Sequence, residues 1–283
     1  MSKIIAIANQ KGGVAKTTTA VNLAAYLAKF GKKTLLIDLD PQSNATSGCG
    51  IDKTSVRDSI YNVLIGAAKI EDVVLNSPFD GLFVAPSDIS LVGAEIELVN
   101  SEKREHALAR ALTDITSTNR YDFIFIDTPP SLGLLTLNAL TASNSVLIPM
   151  QCEYYALEGL AQLYKTISLV KQNLNRELQI EGLIFSLVDQ RVNLTLQVIE
   201  EVRKFLKDKV YGTVIPRNIR LAEAPSHGKP ILAYDSASKG AEAYEKLARE
   251  FLARNPTAPV PGDSAHAAVA DALLTEIKQE VAP

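Results

Sequence analysis

The sequence has no tryptophan, two cysteines, two methionines and three histidines in 283 residues. Cys49 and Cys152 are too few for a disulfide framework, which fits a reducing compartment, and both read as small packing residues. His106, His227 and His266 are scattered without the spacing of a zinc site. Long apolar runs are missing: Ile4 to Ala8 and Phe123 to Ile126 fall far short of the ~20 residues that span a bilayer. No basic segment with a small-residue cleavage site follows Met1, so a secretory signal is not expected and the expected location is cytoplasmic. Neither sign of charge dominates, with 29 Lys+Arg against 32 Asp+Glu. Hydrophobic residues make up 47%, enough apolar surface to exclude disorder over most of the chain.

The near-balance hides an asymmetry. The tail from Pro256 onward carries Asp263, Asp271, Glu276 and Glu280 against Lys278 alone, a net −3. Between Arg191 and Lys229 eight basic residues outnumber four acids, a local +4. That stretch reads either as a solvated helix face with i,i+4 pairs or as an electrostatic footprint for phosphates.

Short β-branched runs alternate with segments of helical period. Strands are expected at Lys3–Asn9, Lys33–Asp38, Leu82–Pro86, Asp122–Asp127, Ser145–Met150, Ile180–Val188 and Thr213–Pro216. Helices are expected at Lys16–Phe30, Ser90–Val99, Ser101–Ser117, Leu157–Asn173, Asn193–Leu206 and Ser238–Ala253. Several strands are apolar at nearly every position, as strands covered on both faces are. The expected fold is therefore α/β: one domain with a mainly parallel twisted sheet and helices on both faces, over residues 1–254. Residues 255–283 read as a Pro/Ala-rich linker and an acidic tail, helical over roughly Ala265–Glu280.

The first strand runs directly into Asn9-Gln10-Lys11-Gly12-Gly13-Val14-Ala15-Lys16-Thr17-Thr18-Thr19, which opens the first helix. A strand, a Gly-rich turn and a helix N-terminus together form an anion site, because backbone N–H groups converge there and the helix dipole favours negative charge. Gly12 and Gly13 permit close backbone approach; Lys16 would reach β and γ phosphates, and the Thr17 hydroxyl would ligate Mg2+. Gln10 stands where the ordinary P-loop has its first glycine, and an extra lysine, Lys11, precedes the glycines. Two further strand ends carry acids. Leu35–Asp40 ends in Asp38 and Asp40, and Phe123–Asp127 ends in a Walker B-like Asp127 that would hold Mg2+ through water, followed by Thr128-Pro129-Pro130-Ser131. Ser131 is a candidate cap for the helix after it.

The run Lys11–Thr18 resembles the deviant Walker A motif of the ParA/MinD ATPases, and the segment from Ile4 to Asn44 resembles ParA proteins of the Soj type. The resemblance covers roughly residues 3–254. It implies an ATPase with ATP and Mg2+ as ligands, a nucleotide site over Lys11, Gly12, Gly13, Val14, Ala15, Lys16, Thr17 and Thr18, and an ATP-dependent sandwich homodimer in which Lys11 reaches the partner's phosphates. It further implies that Asp40 positions the attacking water and that Asp38 sits near Mg2+ or supports the loop. Thr128–Ser131 would be switch II. Val214–Ser226 resembles the family's base-side motif, with Pro216 and Asn218 as base contacts, although Asn218 reads equally well as a helix N-cap. Val188–Leu194 also resembles a family segment, which makes Arg191 and Arg220 the DNA contacts carried over, with Lys204, Lys207 and Arg217 added as neighbours. Without an aromatic ladder or a reading helix, these suit nonspecific phosphate contacts to double-stranded DNA.

The function expected is a chromosome or plasmid partition ATPase, slow and stimulated by DNA and a ParB-type centromere-binding partner, cytoplasmic and nucleoid-associated. The alternatives are a MinD-like division-site ATPase and a nucleotide-dependent scaffold with little hydrolysis. MinD-like proteins end in a basic amphipathic membrane helix, whereas this tail is acidic, so no membrane partner is expected. One position departs from the family: Ala15 stands where the glycine before the P-loop lysine is usual, at a cost of about 1 kcal/mol if φ is positive there.

Overall fold

Strands that are apolar at successive positions need cover on both faces. The computed structural model describes residues 2–153, 156–189 and 191–256. Eight strands form one sheet: β1 (Lys3–Ile7), β2 (Thr34–Asp38), β3 (Leu75–Asn76), β4 (Leu82–Ala85), β5 (Phe123–Asp127), β6 (Ser145–Gln151), β7 (Gln179–Val188) and β8 (Val210–Pro216). Their order is β3-β4-β2-β5-β1-β6-β7-β8, and every pair is parallel except β3 with β4. The longer helices are α1 (Lys16–Lys29), α2 (Leu134–Ala142), α3 (Ala156–Asn173), α4 (Asn193–Leu206) and α5 (Lys239–Arg254).

Alternation along each strand sorts side chains into two cores. Ile4 and Ala6 of β1, with Ile124 and Ile126 of β5, face Leu135, Leu163, Ile167, Val198 and Val202 from α2, α3 and α4. Ile5 and Ile7, with Phe123 and Phe125, face Leu23, Leu27, Tyr244, Leu247 and Phe251 from α1 and α5. The expected stripe Ala20, Leu23, Ala24, Leu27 and Ala28 is buried, and so are Val21, Ala25 and Tyr26 on the rest of α1. A short helix at Asn44–Gly48 and α5 close over that second side.

The expected strands form, with ends moved by one to three residues. β3 and the short helices Asn44–Gly48 and Ile60–Leu64 were not expected, being too brief to show a period. The expected helix Ser101–Ser117 is instead a 3-10 turn at Arg104–His106 and two one-turn helices, Ala107–Ala111 and Thr113–Ser117. Lys103 at φ +53° breaks the entry, and the Thr113 and Thr116 hydroxyls bond back to the carbonyls of Ala109 and Leu112. Ser131 does not cap α2; Gly133 takes that place, and Ser131 accepts a bond from Thr136 through its carbonyl. The expected tail helix lies outside the described residues.

β1 sits at the centre, with β2 reached by skipping over the place filled by β5 and later strands added on the other side. Ligands of open α/β sheets gather outside the strand ends at such a reversal.

Candidate nucleotide site

Strand register brings the acids together. Asp38 pairs with Asp127 across β2 and β5, and Ile7, which leads into the Gly-rich turn, pairs with Asp127 across β1 and β5. With strands about 4.8 Å apart, this puts two carboxylates side by side beneath the turn. Both are fully buried.

The two are held differently. Asp38 accepts from the Thr46 amide and hydroxyl, both at 2.7 Å, and from the Asp40 amide at 3.1 Å. Those bonds tie the β2 end to helix Asn44–Gly48, so of its two expected roles the geometry fills loop support. Burial pushes its carboxyl up to about 6, against the pull of the Thr46 and Asp40 hydrogen bonds. Neither carboxylate oxygen of Asp127 has a hydrogen-bond partner. Burial and then the neighbouring Asp38 charge raise Asp127 well above the usual carboxylate range, while the nearby Thr17 hydroxyl and Lys16 ammonium draw it back. Lys16 is buried too; desolvation lowers its ammonium, and the charges of Asp127 and Asp40 oppose that. A buried ammonium beside an unpartnered buried carboxylate is an arrangement that gains its missing partners from an anion and a cation arriving together.

The Gly-rich turn is braced from two strands, β6 and β7. Asn9 donates to the Pro149 carbonyl at 2.7 Å and accepts from the Lys11 amide at 3.0 Å. Gln151 donates to the Gly13 carbonyl at 2.7 Å, Ser186 to the Val14 carbonyl at 2.8 Å, and Lys16 to the Lys11 carbonyl at 3.2 Å. The backbone is left-handed at Gly13 (φ +74°) and again at Ala15 (φ +63°), which is the N-cap of α1 and makes no side-chain cap. Ala15 therefore occupies the conformation that a glycine adopts freely. Lys11 is exposed and ion-paired with Glu153 of its own chain.

A cleft of about 410 Å³ opens above this turn. Gly12, Gly13, Ala15, Lys16, Thr17, Thr18 and Asp40 line its phosphate end. Val14 is buried below, not in the lining. Leu187, Ile215, Leu221 and Ala222 form an apolar wall at the other end, with Asn218 beside them. Of the two readings left open for Asn218, the N-cap is seen: it caps helix Ile219–Glu223 through the Arg220 amide at 2.9 Å, and it also lines the cleft. Pro216 is half-buried at the end of β8 but is not part of the lining; its neighbour Ile215 is. Leu187 gave no signal in the sequence. It is a branched residue held at φ +52°, a strained backbone that recurs at ligand sites. Among the described residues no cluster of three or more His, Cys, Asp or Glu could hold a metal alone. Magnesium shared with phosphates needs only one or two protein oxygens, and the unpartnered Asp127 carboxylate and the Thr17 hydroxyl are the groups that could provide them.

The basic candidates divide into two groups. Arg191, Arg217 and Arg220 follow β7 and β8 at the cleft end of the sheet, whereas Lys204 and Lys207 lie at the far end of α4, about 20 Å away for 14 helical residues. Arg191 makes a bidentate pair with Asp189, Arg220 pairs with Glu223 and Asp235, and Lys204 pairs with Glu200 and Glu201. With Asp189 and Asp235 included, eight bases face six acids, so the surface is less positive than the stretch Arg191–Lys229 suggested.

Residues 2–180 match the model of an AAA domain family. The chain is 58% identical over 253 residues to the sporulation initiation inhibitor protein Soj of Bacillus subtilis, covering 89% of this chain and 99% of that one. It is 52% identical over 260 residues to the chromosome partitioning protein ParA of Myxococcus xanthus, covering 92% and 91%. Among solved structures it resembles one described as cobyrinic acid a,c-diamide synthase from Mycobacterium smegmatis with bound ADP and magnesium, with a TM-score of 0.76, 37% identity, and 88% and 93% of the two chains covered.

Proposed function

The chain belongs to the Soj/ParA family of chromosome-partitioning ATPases, and from that premise we propose that it is a nucleotide-driven partition switch. ATP and Mg2+ are its ligands and hydrolysis to ADP and phosphate is its reaction, in line with the ADP and magnesium held by the M. smegmatis relative. Two copies would join around ATP, hold double-stranded DNA without regard to sequence, and release it after hydrolysis stimulated by a ParB-type partner. The observation that carries this reading is the orphaned, buried Asp127 carboxylate beside buried Lys16 under the Gly-rich turn.

Each residue of the cleft has its own task. Amides of Gly12 to Thr18 and the Lys16 ammonium bind the β and γ phosphates, where desolvation strengthens each contact. Thr17 and Asp127 would hold magnesium, which when bound offsets charge on the phosphate oxygens. Asp40, whose carboxylate accepts from the Gln42 amide at 2.9 Å, is placed in the cleft to orient water on the γ phosphate. Asp38 braces that loop through Thr46. Gly12 lies next to Pro130, from which an added Cβ would stand 3.6 Å, so the Gly-rich turn and the Thr128–Ser131 segment are neighbours through which loss of the γ phosphate could be felt. Lys11 leaves Glu153 to reach the partner's phosphates.

The DNA surface is assigned to Arg191, Arg217 and Arg220 at the cleft end, presented twice by a two-fold dimer. Lys204 and Lys207 lie about 20 Å further along α4 and would meet a duplex only beyond that patch. The charge of the tail argues against a MinD-like membrane role: with four acids against one lysine it would be repelled by anionic lipid. DNA retention and mass by light scattering, each with ATP, ADP and no nucleotide, test the proposal. Dimer and DNA retention are expected with ATP alone, and both are expected to vanish in Lys11→Ala. Equal retention in all three states would overturn it.

A further inference from the structure

The far end of α4 is a surface the proposed cycle does not use. Phe205 there is 84% exposed, the most exposed of the large apolar side chains among the described residues. The apolar face of α4, with Val198, Val202 and Leu206, is already buried in the core, so Phe205 points away from it. Its neighbours along the chain include the exposed cations Arg203, Lys204, Lys207 and Lys209 and the exposed acids Glu200, Glu201 and Asp208. Lys204 is engaged by Glu200 at 2.9 Å and Glu201 at 3.5 Å. Among the described residues no carboxylate lies within 4.0 Å of Arg203, Lys207 or Lys209. An exposed aromatic ring whose chain neighbours Arg203, Lys207 and Lys209 have no carboxylate partner among the described residues is a surface shaped for an acidic amphipathic segment.

The body of the chain ends beside it. Arg254, the last residue of α5, donates to the Asp208 carbonyl at 3.1 Å and the Val210 carbonyl at 2.8 Å, and its guanidinium lies over the Tyr211 ring. Asn255 is pinned by Glu181 at 2.6 Å. The chain therefore leaves the body within one side chain's reach of the turn Lys207–Lys209. The remainder, residues 257–283, has net charge −3. Its first stretch contains Pro259, Pro261 and Gly262, enough extended chain, at about 3.3 Å per residue, to reach Phe205. Beyond it Val269, Leu273, Leu274 and Ile277 recur at helical spacing, with Asp271, Glu276 and Glu280 between and after them.

We infer that residues 257–283 dock on the chain's own surface at Phe205, Arg203, Lys207 and Lys209, with the apolar residues covering the ring and the acids meeting the cations. Segment 200–209 carries +1 overall; with Lys204 taken by Glu200 and Glu201, the cations left to meet the tail's −3 are Arg203, Lys207 and Lys209. Tethering supplies an effective concentration in the millimolar range, so a contact too weak to form between separate molecules suffices. The inference concerns the tail alone and stands whether or not the cleft end of the sheet binds DNA.

Because the sequence has no tryptophan, Phe205→Trp in the full-length protein makes a unique reporter at an exposed site where it leaves the fold undisturbed. The comparison is with the same reporter carrying Asp271→Lys, Glu276→Lys and Glu280→Lys. Docking predicts blue-shifted emission and acrylamide quenching about threefold weaker with the natural tail than with the reversed one, independent of protein concentration. Equal, solvent-like quenching in both overturns the inference. So does protection that disappears on dilution, which would mean a second copy covers the ring. Protection that arises only on adding duplex DNA or vesicles of anionic phospholipid also overturns it.

Discussion

Ala15 and Gly13 share a left-handed backbone two residues apart in the phosphate turn, at φ +63° and +74°. An L-residue there costs ~1–2 kcal/mol relative to its usual regions, and glycine's extra freedom in the unfolded chain returns roughly 0.5–1 kcal/mol of that. Ala15→Gly should therefore stabilise the nucleotide-free protein by about 0.5–1 kcal/mol. Gly13→Ala isolates the same effect with opposite sign, since a Cβ at position 13 would meet nothing within 4 Å. It should destabilise by about the same amount, through φ alone. For a body of this size those changes move Tm by ~1–4 °C, upward and downward respectively. Far-UV circular dichroism melts and urea titrations of the two variants and the parent, without nucleotide, read this out. ATP affinity should rise with Ala15→Gly as well, because the turn is then unstrained in its binding shape. If Ala15→Gly leaves Tm unchanged or lowers it while Gly13→Ala behaves as expected, the strain argument fails at position 15 and the turn there is held by its neighbours.

The remaining expectations rest on burial and pairing. Asp127 titrates higher in the folded chain than in the unfolded one, so in magnesium-free buffer its contribution is favourable at low pH and is lost as pH rises through its folded value. Asp127→Asn should accordingly gain stability over the parent as pH rises above the ordinary carboxylate range, while losing magnesium-dependent ATP hydrolysis; a stability difference independent of pH would refute the assignment. Gly182→Ala should cost at least ~2 kcal/mol in urea denaturation, because the new Cβ would lie 2.6 Å from the Tyr211 ring and 2.8 Å from the Lys209 carbonyl. Arg217→Ala should weaken ATP-dependent DNA retention several-fold and lower its salt slope by ~1, whereas Lys204→Ala should leave both nearly unchanged; equal losses would join the two basic groups again.

The Gly-rich turn, the Asp at each strand end and the lysines were legible in the sequence because their chemistry depends on residue type at fixed local spacing. Strand and helix periods were legible for the same reason: a strand covered on both faces has to be apolar at nearly every position, as β1 is from Ile4 to Ile7 and β5 from Phe123 to Ile126. The broken helix after Ser101 and the strained Leu187 were not, since a left-handed residue other than glycine leaves no mark in composition. Nor was the ion-pair pattern. Arg220 finds Asp235 fifteen residues on, and Arg191 is neutralised by Asp189 only because the chain turns there. Asp38 and Asp127 lie 89 positions apart in the chain, and nothing local says that one is satisfied and the other orphaned. Sequence alone determined which groups could bind a triphosphate, for those are properties of single residues and short turns. Tertiary structure decided which carboxylate is left without a partner and which cations remain unpaired, because desolvation and pairing depend on what the folded chain packs beside each charge.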